Sequence, residues 1–591
     1  MNKYEYDILL KIADYNVVDS RQLAKLCSCS LSTINKSLNT LREIGYVDDK
    51  LHLLSIAEDL FFDRQPKRAI ILAAGFGLRM VPINTEISKA LLEIDGERLI
   101  ERLIKQLHKV GIYEIYIVVG YMKDEFNYLV QKYGVHLIFN KYYSNKNNLF
   151  SLYKACEYLD NAYIVPCDIW CSKNPFNKQE LYSWYMVSDL IDNDSDIRIN
   201  RKMELVKTSD DNGGNSMVGI SYLTRDIAVL VKDRIKKLVN DKQYDNSFWE
   251  EALFDDHKMK VFANVTHSAD VFEINTYEQL REIDAESNQL QTDAILVIKR
   301  ELNVKSDEIV NIKALKKGMT NRSFLFECNN ERYIMRIPGE GTDKLINRKH
   351  EADVYKVITG KCIGENLLYI DPVNGYKISE YLNGARECNL KNEEDLRKCM
   401  EKLRDFHEMA LKVDHEFDIV GQIDFYESLW NGKQSLHKDY NATKQNALKL
   451  LSYINRQDNA KVLAHIDAVP DNFLFVKNKD NTESIYLIDW EYAGMQDPHV
   501  DIAMFCIYAS FNKDQIDKLI NYYFRGESSD SVRLKIYCYI ALCGLLWSNW
   551  CEYKSQLGVE FGEYADKQYQ YAKDFYTIVI DELNRRGETL V

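Results

Sequence analysis

Four residues near the carboxy-terminal end have types and spacing that suit group transfer: His465, Asp467 and Asn472 in HIDAVPDN, and Asp489 in LIDWEYAG seventeen residues later. Moving a phosphoryl group onto an alcohol needs such a set. The hydroxyl is protonated near neutral pH and must lose its proton to a base, while metal-bound phosphates need an amide and a second carboxylate as ligands. On this reading Asp467 is the base, and Asn472 and Asp489 hold Mg²⁺. A second cluster starts at Leu72 in LAAGFGLRMVPINTEISKALL. Gly75 and Gly77 can present backbone N–H groups to phosphate oxygens because no Cβ blocks the approach. Arg79 and Lys89 bracket the loop and can neutralise a triphosphate. The string lacks the GK[ST] of a Walker loop, and Met80 stands where a dinucleotide fingerprint needs its third glycine.

The elements that must position these groups follow from the hydrophobic pattern. Before Pro66 the chain reads as short amphipathic helices: a stripe of Tyr6, Ile8, Leu9, Ile12 and Ala13, then RQLAKLC capped by Ser20, then LSTINKSLNTLREIG capped by Ser30. YVDDKLHLLSI is expected to form a two-stranded wing, which makes residues 1–65 a winged helix-turn-helix. From Arg68, apolar strands (AIILAA, IYIVVG, HLIFN, AYIVPCDIW) alternate with helices such as ERLIERLIKQLHKVG, the pattern of a mostly parallel, Rossmann-like α/β sheet over residues 67–290. Over residues 291–591, strand-like segments (FLFECNN, RYIMRIP, GYKISEYL) precede long helices, which predicts a two-lobed α+β domain.

Composition narrows the class. With 591 residues, several domains are expected. The 46% hydrophobic and 28% charged residues exclude a disordered chain. No apolar run reaches the ~20 residues of a membrane helix. Thirteen scattered cysteines without a CxxC pair predict reduced thiols in a cytoplasmic protein. The net charge of −14 argues against a chain-wide nucleic-acid or membrane role.

The string from Leu72 resembles the signature of nucleotidyltransferases, and within them the bacterial CTP:phosphocholine cytidylyltransferases. IVVGYMKDEF, the stretch with Asn147, Asn148 and Ser151, and the strand-end Asp168 support the likeness, which covers about residues 68–285. It implies that Leu72, Ala73, Ala74, Gly75 and Gly77 bind CTP, that Arg79 and Lys89 stabilise the departing pyrophosphate, and that Asp168 and Asn275 hold Mg²⁺. Ser88 departs from the usual proline, and Asn275 from the usual aspartate. The cluster of His465, Asp467, Asn472 and Asp489 resembles the choline/ethanolamine kinase family over about residues 292–591. GMTNRSF, with Thr320, Asn321 and Arg322, is the implied phosphate loop; Arg336 pairs with Glu351; and ISEYLNG, with Glu380, is the strand beside the adenine of ATP. Asp471 stands where relatives often have glycine.

A quaternary ammonium offers no N–H and is held by ring faces and carboxylates. Trp547 and Trp550 lie one helical turn apart, and the likeness adds Glu491, Tyr508 and Tyr564 to a choline pocket. Residues 1–65 carry eight basic against ten acidic residues, a poor footprint for DNA, so a structural role is favoured over operator binding. The expectation is a bifunctional enzyme that phosphorylates choline with ATP and cytidylylates the product with CTP, with Mg²⁺ at both sites and small molecules as partners. Its rivals are the same reactions on ethanolamine or another amino alcohol, a sugar-1-phosphate nucleotidyltransferase fused to a small-molecule kinase, and a metabolite-sensing transcriptional regulator.

Overall fold

The apolar run before the glycine loop forms the strand Arg68–Ala73, buried on both faces at the centre of the first sheet. The computed structural model describes residues 1–15, 19–208, 213–315, 321–339, 342, 345–457, 460–556 and 561–590, and the chain divides into two units, Met1–Thr292 and Asp293–Val591. In the first unit, Arg68–Ala73 pairs in parallel with Glu114–Val119 and Ala162–Pro166, and His136–Phe139 extends the parallel half. Beyond it, Gly214–Leu223 runs antiparallel to both Ala162–Pro166 and Trp184–Asp192. The sheet is therefore mixed, and parallel where it carries the loop. Alternate residues serve opposite cores: Ala69, Ile71 and Ala73 pack with helix Leu99–Lys109, while Ile70, Leu72 and Ala74 pack with helices Asn148–Lys154 and Arg225–Leu238.

The amino-terminal helices Lys3–Asp14, Ser20–Leu26 and Leu31–Ile44 share the first of these cores through Ile8, Leu9, Leu23, Ile34, Leu38 and Leu41. Asp19, not Ser20, caps the second helix, by accepting from the Gln22 N–H. Ser30 caps the third, as its spacing predicts. The expected wing shrinks to a single antiparallel bridge, Val47–Leu53, because the Asp48 carboxylate accepts from the Lys50 and His52 N–H groups and tightens the turn. Polar contacts fasten this segment to the sheet: the Tyr182 hydroxyl donates to Asp7 (2.9 Å), and Arg64 Nη1 donates to the Leu181 carbonyl (2.6 Å).

In the second unit, five antiparallel strands are followed by helices. Strands Asn321–Cys328 and Glu331–Pro338 join through Asn329 and Asn330, both in the left-handed region, the conformation a tight hairpin demands. The helix Asp530–Gln556 is apolar on nearly every side and accordingly buried along most of its length. No helix among the described residues is long and apolar enough to cross a membrane.

The docking of the first helices onto the sheet centres on Tyr182. Its ring lies 5.6 Å from Tyr6 and meets Phe262 edge-on at 5.6 Å, while its hydroxyl holds Asp7. We expect Tyr182→Ala to destabilise the first unit by about 3–5 kcal/mol, read as a lowered calorimetric melting temperature with the transition of the second unit unmoved. An unchanged transition would show that this contact does not hold the segment.

Candidate active sites

In the first unit the loop leaves the sheet at Ala73. Gly77 has φ +66°, a conformation that side chains disfavour. Buried Asn84, which the sequence pattern did not single out, steadies the turn by donating to the Phe76 (3.4 Å) and Gly77 (3.2 Å) carbonyls. A Cβ at residue 120 would lie 2.6 Å from the Ala74 carbonyl, so Gly120 alone permits that close approach; around Gly75 the space is open.

Arg79, Lys89, Asp168 and Asn275 meet beside this loop. The Lys89 ammonium binds the Asp168 carboxylate and donates to Asn275 Oδ1 (2.7 Å), which also accepts from Arg79 Nη2 (2.9 Å). The pairing of Val271–Glu273 with Ile169–Cys171, closed by a bond from the Ile274 N–H to the Asp168 carbonyl (3.1 Å), brings Asn275 to Asp168. Burial, with the nearby Asp168 charge, raises the Glu273 carboxyl above its ordinary range. Further in, burial pushes Glu250 up to about 7, and its Oε1 accepts from the Tyr185 hydroxyl (2.9 Å). Glu250 Oε2 is buried without a hydrogen-bond partner among the described residues. Asn147, Asn148 and Ser151 act as scaffold. Asn147 donates to the Asn246 carbonyl, Asn148 Oδ1 accepts from the Trp249 N–H (2.7 Å), and Ser151 accepts from Asn140, which fixes the segment bearing Glu250.

In the second unit the strand Val462–Ala464 delivers His465. The buried Asp501 carboxylate accepts from the His465 (2.8 Å) and Ile466 (2.7 Å) N–H groups and contacts His407 Nε2 at 2.9 Å. These bonds hold Ile466 at φ +70°, a strained conformation for a β-branched residue. His465 is fully buried against Trp490, and burial lowers it to about 4, so it is neutral and structural. Asn472 Nδ2 donates to the Asp467 carbonyl (2.8 Å) and to its carboxylate (3.3 Å). The hairpin register sets Phe473 against Leu487, and the Ile488 N–H reaches the Asn472 carbonyl (3.0 Å), so Asp489 follows directly beside Asn472. Burial, then the charges of Asp489 and Glu491, push Asp467 up to about 8.

Arg336 and Glu351 form a bidentate pair (2.5 and 2.8 Å), and Arg336 Nη1 lies 3.8 Å from Asp489. Arg348 joins them by donating to Glu351 (3.2 Å). Glu491, expected in the choline pocket, accepts from Asn321 Nδ2 (2.7 Å) and Arg348 Nη1 (3.5 Å); its bonds face this network. Arg322 lies one residue on from Asn321, opposite Ile337, and Thr320 falls outside the described residues. A cavity of about 490 Å³ opens here, lined by Ile334, Leu474 and Ile488 and by Lys377, Glu380 and Asp489.

The aromatic residues of this unit lie together with two others, Tyr492 and Phe561. Trp547 and Trp550 lie 5.6 Å apart, Tyr492 meets Trp547 edge-on at 6.0 Å, and Phe561 links Trp550 (5.4 Å) to Tyr564 (6.4 Å). Tyr508 meets Tyr564 at 6.1 Å and donates to Asp471 (2.7 Å), which gives that residue an anchoring role. The charge of Asp467 acts on both Tyr564 and Tyr492, after burial and nearer groups.

Sequence reasoning missed Asp501, Lys377, Arg348, Glu250 and Tyr492. Asp501 and Lys377 had a visible signal, an ionisable residue inside an apolar segment (VDIAMF, GYKIS), since such groups are rarely buried without a partner. The others became visible only through contacts distant in sequence.

Residues 69–178 match the MobA-like NTP transferase domain family, and residues 312–523 match the choline/ethanolamine kinase family. The chain is 31% identical over 231 residues to choline-phosphate cytidylyltransferase of Streptococcus pneumoniae, covering 37% of this chain and 96% of that protein. It is 26% identical over 264 residues to Protein LicA of Haemophilus influenzae, covering 42% of this chain and 96% of that one. The crystal structure of choline kinase LicA from Streptococcus pneumoniae aligns at 28% identity and a TM-score of 0.42, over 48% of this chain and 98% of that one.

Asp501 holds two buried N–H groups that have no other use. Each such group left unmet costs about 1–3 kcal/mol. We expect Asp501→Ala to lower the chemical-denaturation midpoint of the second unit by an amount equivalent to roughly 2–5 kcal/mol, with the first unit unaffected.

Proposed function

We infer that two enzymes share this polypeptide, because the chain belongs to the choline-phosphate cytidylyltransferase family through its first unit and carries a choline/ethanolamine kinase as its second. The second unit phosphorylates choline with ATP, and the first converts phosphocholine and CTP to CDP-choline and pyrophosphate. The observation that carries this reading is shared by the two sites: each sets buried, under-neutralised carboxylates beside aromatic rings. Glu250, bonded to the Tyr185 hydroxyl, and the neighbouring Glu273 do so in the first, and Asp467, whose charge acts on Tyr492 and Tyr564, in the second. That combination suits a cation without N–H donors.

The two reactions place different demands on the chain. A phosphomonoester is already largely ionised near pH 7, so its oxygen attacks the CTP α-phosphorus without a base while the bond to pyrophosphate breaks. Arg79 and Lys89 are assigned to the charge that builds on the leaving group, and the loop from Leu72 to Gly77 to the nucleotide. The choline hydroxyl must be deprotonated; as its oxygen attacks the ATP γ-phosphorus and ADP leaves, the proton passes to Asp467. Arg336, oriented by Glu351, is assigned to the ATP phosphates, and Glu380 to the edge of the adenine cavity.

Mg²⁺ suits both sites, since the groups that would hold it, two carboxylates and two side-chain amide carbonyls, all offer oxygens. Asp168 and Asn275 would hold it in the first, Asn472 and Asp489 in the second. When bound, the metal neutralises charge on the phosphates. Residues 1–65 are read as a structural part of the first unit, a role supported by their shared core and by the pairing of Arg42 with Asp49 (3.6 Å).

Purified protein given ATP, CTP, Mg²⁺ and choline should form CDP-choline. Asp467→Asn should lower choline phosphorylation by on the order of 10²–10⁴ and leave cytidylylation of added phosphocholine intact. Asp168→Ala should do the reverse, lowering cytidylylation by about 10²–10³ or more. Equal loss of both activities in either variant would sink the assignment of one reaction to each unit. Trp550→Leu, checked for folding, should raise the choline KM about threefold to thirtyfold with the ATP KM unmoved.

A further inference from the structure

One face in the aromatic cluster already carries a cation. Lys554 follows Trp550 by four residues on the helix Asp530–Gln556, and its ammonium lies over the Trp550 ring, 5.7 Å from the centroid. On an exposed helix surface that spacing would be unremarkable. Here Lys554 is only 8% exposed, an unusual state for lysine. Trp550 is no surface ring either: it packs against Trp547 and Phe561, and its indole N–H is buried without an acceptor among the described residues. The carboxylate whose charge acts on Lys554 is that of Glu491, which precedes Tyr492 of the same cluster. A ring face away from water is what holds a quaternary ammonium, and Lys554 occupies such a face on Trp550.

We propose that Lys554 is a specificity-determining residue of the alcohol site, a resident cation on Trp550 that an incoming amino alcohol must displace. The inference rests on reading the second unit as a choline kinase. Like charges a few ångströms apart away from bulk water repel strongly, so the lysine weakens ground-state binding of a cationic alcohol. It does so without touching ATP or the base, and it disfavours a cation more than a neutral molecule of the same shape.

The test pairs choline with its uncharged carbon isostere, 3,3-dimethylbutan-1-ol, in the full-length protein. Lys554→Met should lower the choline KM by about threefold to tenfold, with kcat, the ATP KM and the KM for the neutral isostere unchanged. An unchanged or raised choline KM, or an equal shift for both alcohols, would overturn the proposal in favour of a packing role. A second readout needs no variant: brief acetylation of the wild-type protein, followed by peptide mass spectrometry, should find Lys554 more reactive when choline is present. Equal or lower reactivity counts against displacement and overturns it. If the wild-type protein phosphorylates no quaternary amino alcohol, the kinase reading falls and this inference with it. Choline turnover with an unmoved KM in Lys554→Met removes only the lysine.

Discussion

Carboxylates held away from water with too few cations are the constraint around which both units are built. An isolated buried carboxylate is too costly to keep ionised, and the group shifts its pKa instead. Glu250 and Glu273 in the first unit and Asp467 and Glu491 in the second are all raised in this way, with burial the first cause. The cations the chain supplies are largely committed: Lys89 to Asp168 and Asn275, Arg336 to Glu351, and Lys377 to Glu365 at 2.7 Å. The protein therefore carries buried acid clusters whose charge its own cations meet only in part.

Rigid backbone makes such clusters possible. In the first unit a short two-stranded ladder sets Asp168 against Asn275, and Asn84 braces the loop that faces them. In the second, the hairpin register puts Asn472 next to Asp489, and Asp501 grips the backbone before Asp467. Both Ile466 and Asp489 have positive φ, so the two arms of this site are held in conformations that only the surrounding bonds maintain.

The chemistry explains why the two clusters differ. The first unit's cluster is dominated by cations and amides around a glycine loop, with Lys89 and Arg79 on Asn275 and Lys89 on Asp168. The second unit's cluster adds an acid pushed up to about 8, within hydrogen-bond reach of the Asn472 amide. Joining them makes the product of one unit the substrate of the other.

Much of this was legible in the amino-acid sequence, where chemistry is local. The glycine loop, the H-x-D-x₄-N spacing and the alternation of strands and helices depend on neighbours within a few residues, and their elements formed where the pattern put them. The wing stopped at one bridge, because the side chain of Asp48 closed the turn more tightly than hydropathy can register. The cap at Asp19 won over Ser20 by one residue, through an Asx bond to Gln22 that patterning does not resolve. Only the tertiary structure decided what depends on long-range charge and contact: that Glu491 turns to Asn321 and Arg348, that Asp501 braces the catalytic loop, and that Lys554 lies buried on Trp550. Spacing along a chain records which groups can be neighbours on one element. Which buried charges share a partner is set by the packing of elements far apart in sequence.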